Sequence, residues 1–382
     1  MSRAKVGDAT GLSQAALSTL LGLLIESGIV HSNNRTGVSN RRGRPQTTVS
    51  LNEQAGIAIT VSLAVDSITV CTVNYSGDTV AQQHYSMNSR SLTTKQLYDL
   101  FFTYIKNAIK EQTGQQLQTI SVGFQGVTDS IAGELLWSPI LSIEKTPIAE
   151  KLRKKFNVPV SVNNDCGLIA AALHNQQNKT LGESFVTVLF SHGIGMGLYM
   201  AGKPVCGATT SALELGHVQF IENGAPCRCG KHGCIEAYAA DYGIAGSAQK
   251  NKQLEESVGS ISHDQFLTLI NAANNGNQSA IEAFKLAGKA IGSGLATVFT
   301  LLDPMPVALV GRTADAINLM TDDIRTGLNL VGRSPQDWSS LLHCYNDDTA
   351  LLLEGLVLDA MAQADHTFAM RSDVASKEAS HV

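Results

Sequence analysis

The 382-residue chain contains no run of about 18 apolar residues, so no membrane-spanning helix and no membrane insertion are expected. Its opening, Met1-Ser2-Arg3-Ala4-Lys5-Val6-Gly7-Asp8, lacks the apolar core of a secretion signal. It also lacks the dense cysteine framework of a small secreted fold. The seven cysteines stand at 71, 166, 206, 227, 229, 234 and 344, and only three of them cluster. Cys71, Cys166, Cys206 and Cys344 therefore read as small buried apolar residues. The chain is expected to be cytoplasmic. What remains is an ordinary globular composition, 43% hydrophobic and 16% charged, long enough for two or three domains.

The net charge of −5 hides an asymmetry. The first fifty residues carry six basic side chains and two acidic ones, a local +4, so the other 332 residues carry −9. A small basic head on an acidic body is expected to meet a polyanion. Within the head, residues 3–12 read as a short helix ending at Gly11, and Ser13 caps a longer helix closed by Gly28. Leu17, Leu20, Leu21, Leu24 and Ile25 form its apolar stripe. Two helices about a glycine turn suit a helix-turn-helix. Ser13, Gln14, Ala15 and Ser18 then make a small, polar face able to approach base edges. Ile29–His31 and Thr47–Leu51 read as the strands of a wing. Arg35, Arg41, Arg42 and Arg44 lie between them, suited to phosphates and, at Gly43-Arg44-Pro45, to a minor groove. A helical hairpin used only for dimerisation is the alternative. A winged helix ordinarily has one more helix in front, so either the start of the head, residues 1–52, lies upstream of Met1 or the head is abridged.

From Gly56 the pattern changes. Gly56–Leu63 and Ser67–Val73 are β-branched strands, Thr93–Glu111 is an amphipathic helix, and Ile120–Phe124 is a strand that ends in a polar turn. Ile148–Phe156 is a helix. Val158–Val162 is a strand ending at Asn163-Asn164-Asp165, and a helix follows from Gly167. The theme repeats with strand Phe185–Phe190, a glycine-rich turn at 191–197, and strand Leu198–Met200. Helices dominate after about residue 260, with one strand at Val307–Val310. The repetition predicts two α/β lobes and a cleft lined by polar strand ends. The first lobe covers 53–165 with a C-terminal helix at about 350–372, and the second covers 166–349. Residues 373–382 read as a disordered tail.

One imidazole and three thiols fall within eighteen residues: His217, Cys227, Cys229 and Cys234. Three thiolates and one imidazole complete a tetrahedral Zn2+ shell with no open position, which makes the site structural. Gly230 and Gly233 supply the turns. His232, inside the same loop, is the rival imidazole.

Glu214-Leu215-Gly216-His217, Cys227-Arg228-Cys229-Gly230 and Gly233-Cys234-Ile235-Glu236 resemble the signature of the ROK family of repressors and sugar kinases. Asn163-Asn164-Asp165 resembles its sugar-site pair, Gly193–Gly197 its second phosphate loop, and the winged head its repressor branch. The resemblance implies an actin-like, ribonuclease-H-like two-lobed ATPase fold. It also implies a hexose site built from Asn164, Asp165, Glu214, His217 and Glu236, with Gly126 letting the sugar approach the backbone. Carboxylates and an amide suit paired hydroxyls. In a kinase Asp165 would be the general base, and His217 would share its two ring nitrogens between zinc and sugar.

The family's kinases carry Asp-x-Gly-x-Thr at the first strand turn. Here Ala58 is read in the place of that Asp, no glycine turn follows, His192 replaces a Thr, and Gly311-Arg312 replaces paired glycines. Without that carboxylate Mg-ATP loses most of its cradle, so Asp165 is expected to be a vestigial base. The expected protein is a non-catalytic, sugar-responsive repressor. It would bind palindromic operator DNA as a homodimer or homotetramer and answer to a sugar, a sugar phosphate or a sugar-transport protein. An ATP-dependent hexose kinase is the alternative.

Overall fold

The computed structural model describes residues 1–34, 47–112, 114–143, 145–176, 179–210, 213–249, 261–329 and 338–379. In the head, Ser2 caps α1 (Arg3–Thr10) by accepting from the Lys5 amide, and the helix ends at Gly11 in the left-handed region. Ser13 caps α2 (Gln14–Glu26) by accepting from the Ala16 amide. β1 (Val30–Asn34) and β2 (Thr47–Leu51) form an antiparallel hairpin. Leu17 and Leu21 are buried with Val30 and Val49, as the helical period predicts. Leu20 and Leu24, expected in the same stripe, are 45% and 38% exposed. Only one side of α2 is packed among the described residues, so the stripe is narrower than its leucines.

The first lobe opens with β3 (Ile57–Leu63), β4 (Ser67–Asn74) and β5 (Thr79–Ser86). α3 (Thr94–Glu111) and β6 (Leu117–Phe124) follow, then the small hairpin β7 (Val127–Asp129) and β8 (Glu134–Trp137). α4 (Ile148–Phe156), β9 (Val160–Asn164) and α5 (Asp165–Asn175) complete it. Its sheet runs β5-β4-β3-β6-β9, antiparallel through the first three strands and parallel from β3 to β9. α3 starts in a capping box, Thr93 with Gln96, and buries Leu97, Phe101 and Ile105 against the sheet. Each such side chain contributes about 2 kcal/mol relative to exposure.

The second lobe repeats the plan. β10 (Phe185–Phe190), β11 (Ile194–Met200) and β12 (Lys203–Pro204) precede α6 (Glu236–Ala239), α7 (Asp241–Ala248), α8 (His263–Asn274) and α9 (Gln278–Leu302). β13 (Val307–Val310), α10 (Thr321–Asn329), β14 (Leu342–Tyr345) and α11 (Asp348–Ala379) end the chain. Its sheet runs β12-β11-β10-β13-β14, with β10, β13 and β14 parallel. The parallel strands of each lobe thus deliver their C-terminal ends to one cleft. Among the described residues no single helix is long and apolar enough to cross a membrane.

Several expectations are corrected. The glycine-rich segment is not a turn as far as Gly197: only residues 191–193 bend, and Ile194–Gly197 is already strand β11, paired to β10. α5 begins at Asp165, two residues before the expected Gly167. The segment expected as a tail from residue 373 continues as helix to Ala379, while 380–382 lie outside the described residues. Cys71 and Cys166 are buried, but Cys206 and Cys344 are exposed. The reason is topological, since Cys206 follows edge strand β12 and Cys344 sits on edge strand β14.

Candidate functional site

Gly126, Asn164, Asp165, Glu214, His217 and Glu236 line one cavity between the lobes, together with Gln125, Trp137 and Ile194. Each comes from an element end. Gly126 follows β6, Asn164 closes β9, Asp165 opens α5, and Glu236 opens α6. Glu214 and His217 flank the 3-10 turn Leu215–His217. The cavity measures about 40 Å³. That admits about three water molecules, so a sugar ring needs the cavity walls to give way.

The site is tightly wired. Asn164 is the N-cap of α5, its Oδ1 accepting from the amides of Cys166 and Gly167. Its Nδ2 donates to the Gly126 carbonyl at 2.6 Å. Gly126 has φ +136, and a Cβ there would stand 2.3 Å from the Trp137 carbonyl oxygen, so glycine is demanded first by the protein's own backbone. Burial, with Asp348 and Glu214 nearby, pushes Asp165 up to about 7 against the bonds from Cys166. Burial also raises Glu214; His217 opposes the rise and Glu236 adds to it. Glu236 is 3% exposed. Its Oε2 accepts from the Ile194 amide at 3.2 Å and its Oε1 from the Tyr242 hydroxyl at 3.1 Å.

Behind this wall the ligand atoms of His217, Cys227, Cys229 and Cys234 all lie within 4.8 Å of one another, so they could hold a metal ion. Cys229 Sγ and Cys234 Sγ are 3.8 Å apart, and Cys227 Sγ and His217 Nδ1 are 3.6 Å apart. A tetrahedron with zinc–sulfur bonds of about 2.3 Å and a zinc–nitrogen bond of about 2.05 Å has edges of about 3.8 and 3.6 Å. The donor set fits. Burial, with Glu236 beside it, raises the Cys227 thiol well above its ordinary value, a state that a cation would reverse. His232 is exposed and stands in a bridge with Pro226, outside the cluster. The remaining ring nitrogen of His217, Nε2, faces Glu214 Oε2 at 3.4 Å on the cavity side.

The nucleotide side differs from expectation in one residue. Ala58 pairs with Val73 at the far end of β3 and is buried under α11 against Ala360. The β3–β4 turn falls four positions later than a turn after Ala58 requires. The cleft-side strand end is Ser62–Leu63, beside Gly123 and Phe124 of β6. Ser62 therefore occupies the place sought for the carboxylate, and the turn 64–66 holds no glycine. His192 Nδ1 stands 2.9 Å from Asp241 Oδ2. Arg228 donates to the His192 carbonyl and lies over the Tyr242 ring, 3.9 Å from its centroid. Gly195 is small for a packing reason: a Cβ there would be 2.2 Å from Cys166 Sγ. Gly195 and Gly197 admit α5, while a Cβ at Gly193 would meet Glu236 Oε2 at 2.8 Å.

Ser13, Gln14, Ala15 and Ser18 are all exposed on α2. Arg35, Arg41, Arg42 and Arg44 lie outside the described residues. Sequence reasoning missed Trp137, Tyr242 and Asp241. Trp137 meets the His217 ring edge-on with centroids 5.7 Å apart and gives the cavity an aromatic wall. An indole at a strand end one residue before Ser138-Pro139 was the available signal.

Two lobes built on one plan, with a cleft at the strand ends and acids facing a Cys3His loop, define an actin-like, sugar-kinase-like α/β protein. The chain belongs to the ROK family, whose model matches residues 58–336. It is 24% identical over 378 residues to the DNA-binding transcriptional dual regulator NagC of Escherichia coli, covering 95% of this chain and 92% of that one. It is 25% identical over 338 residues to the xylose repressor of Caldicellulosiruptor bescii, with 86% and 84% covered. A solved ROK family transcriptional regulator, described as a homologue of the E. coli MLC protein, superposes with a TM-score of 0.74 at 20% identity, covering 95% and 93%. The ROK glucokinase of Streptomyces griseus superposes with 0.62 at 22% identity, covering 80% and 99%. These structures share the fold.

Proposed function

We propose that this chain is a sugar-responsive transcriptional repressor of the bacterial cytoplasm and performs no phosphoryl transfer. One observation carries the reading. A pocket suited to a polyol sits beside a strand end, Ser62, that offers no carboxylate to Mg-ATP, in a chain that also bears a basic two-helix head. The repressor names of the relatives support it. Asn164, Asp165, Glu214, His217 and Glu236 would take sugar hydroxyls, with Gly126 at the wall. A structural Zn2+ on His217, Cys227, Cys229 and Cys234 would hold the turn that aims His217 and Glu236.

The head would bind a palindromic operator as part of a homodimer or homotetramer. Ser13, Gln14, Ala15 and Ser18 would face bases, and Arg35, Arg41, Arg42 and Arg44 would face phosphates. A sugar, a sugar phosphate or a sugar-transport protein would favour one arrangement of the heads over another. Gel retardation on the chain's own promoter region tests this. Retardation should fall steeply with salt and be lost when Arg41, Arg42 and Arg44 are replaced by alanine. The hexose-kinase reading is tested by an ATP-coupled assay with glucose, N-acetylglucosamine and xylose. Turnover that vanishes in Asp165→Asn would overturn the repressor reading.

A further inference from the structure

Occupancy of the cleft matters to DNA only if something rigid joins the cleft to the head. α11 meets that need, because it is built into three cores at once. Its first turn belongs to the second lobe: Leu351 is buried with Leu189, Ala308 and Val310. Its middle lies on the first lobe: Ala360 is buried with Ala58 and Val73, and Asp359 accepts from Ser121 at 2.5 Å and from Ser161. Its later turns carry the head: Ala364 is buried with Leu17, Leu21 and Val49. There Asp365 accepts from the Tyr75 hydroxyl at 2.8 Å, and Phe368 meets the Tyr75 ring edge-on at 5.3 Å. From Leu351 to Phe368 the helix spans about 26 Å.

The cleft end of this rod is fixed to α5, the helix that Asn164 and Asp165 begin. A Cβ at Gly355 would stand 2.1 Å from the Leu168 carbonyl oxygen, so the two backbones touch with no side chain between them. Any displacement of α5 is passed to α11 without slack. The pair also has somewhere to go. A cleft of about 390 Å³ lies along its flank, walled by Ala171, Met196, Tyr199, Val205, Leu358 and Ala362. The cavity between the lobes holds about 40 Å³ as it stands, so seating a sugar ring displaces its walls, and Asp165 and Cys166 at the start of α5 are among them.

We propose that α11 is the mechanical link between the cleft and the DNA-binding head, coupled to the cleft through the Gly355–Leu168 backbone contact and to the head through Tyr75 and Phe368. The identity of the ligand rests on the sugar-site reading, but the coupling does not.

Amide hydrogen exchange on the full chain tests the link. Gly355→Ala forces α5 and α11 apart, and exchange across residues 14–26 should accelerate by about fivefold or more, the lower end of ordinary coupling. Exchange in α9, which takes no part, should hold. A folded Gly355→Ala protein with an unchanged head overturns the proposal. Phe368→Ala probes the reverse direction, since coupling is reciprocal. It should accelerate the amides of Cys166 and Gly167, and unchanged protection there overturns the proposal even if Gly355→Ala does not fold. Calorimetry with N-acetylglucosamine, xylose and glucose separates the two readings. Sugar binding that leaves exchange in the head untouched sinks the link alone. No binding by any of the three, with both variants still coupled, sinks the sugar reading alone.

Discussion

His217 Nδ1 stands 3.6 Å from Cys227 Sγ, while the other nitrogen of the same ring looks into the cleft toward Glu214. One imidazole is thus shared between the thiol loop and the pocket. A metal on the loop would fix both the tautomer and the direction of the ring. Purified protein should contain close to one equivalent of zinc. Cys234→Ser should lose it and lower unfolding stability by about 3 kcal/mol or more, as loss of a structural metal does. Metal analysis with denaturant melts checks both, and sugar affinity should fall in the same variant.

Asp165 gives a pH signature. Its folded value is raised to about 7 from 3.8. Above 3.8 the unfolded carboxyl releases its proton while the native one keeps it, so stability falls as pH rises to about 7 and is flat beyond. A shift of about three units costs about 4 kcal/mol at pH 8. Asp165→Asn should melt higher than the parent at pH 8 and nearly alike at pH 4. Equal differences at both values would show that burial does not govern this group.

Gly195 and Cys166 form a matched pair, glycine against sulfur. Gly195→Ala should destabilise by about 1–3 kcal/mol through overpacking. Cys166→Ala should recover much of that loss in the double variant, because the residues touch. Urea titrations of the four proteins measure the coupling.

Ala58 and Ser62 separate position from chemistry. Ala58→Asp places a carboxylate under α11 with no cation near it, and should cost about 3 kcal/mol or more. Ser62→Asp puts the same group at the cleft-side strand end, where Ser62 is 9% exposed against 2% for Ala58, and should cost less. Neither should phosphorylate a hexose with ATP in a coupled assay, since the turn still lacks glycine and His192 remains tied to Asp241.

The sequence made some of this legible for physical reasons. The bounds Ile148–Phe156 and Phe185–Phe190 follow from periodicity and β-branching. The thiol spacing pointed to the metal loop because few other chemistries need it. Ala58 was misplaced because β3 is buried at every position from Ile57 to Leu63, so no alternation marks where the strand meets the cleft. The glycine run reads as a turn in sequence because glycine signals both a bend and a close approach, and only the position of Cys166 tells them apart. β5 escaped notice because it is a largely exposed edge strand of Thr, Gln, His and Ser. Tyr242 and Asp241 could not be read locally, since their partners lie in other segments.

The narrowness of the cavity between Asp165 and Glu236 also has a kinetic side. A ligand too large for the cavity as it stands would associate no faster than the walls give way, on a scale of about microseconds to milliseconds. Its observed rate should therefore level off as concentration climbs.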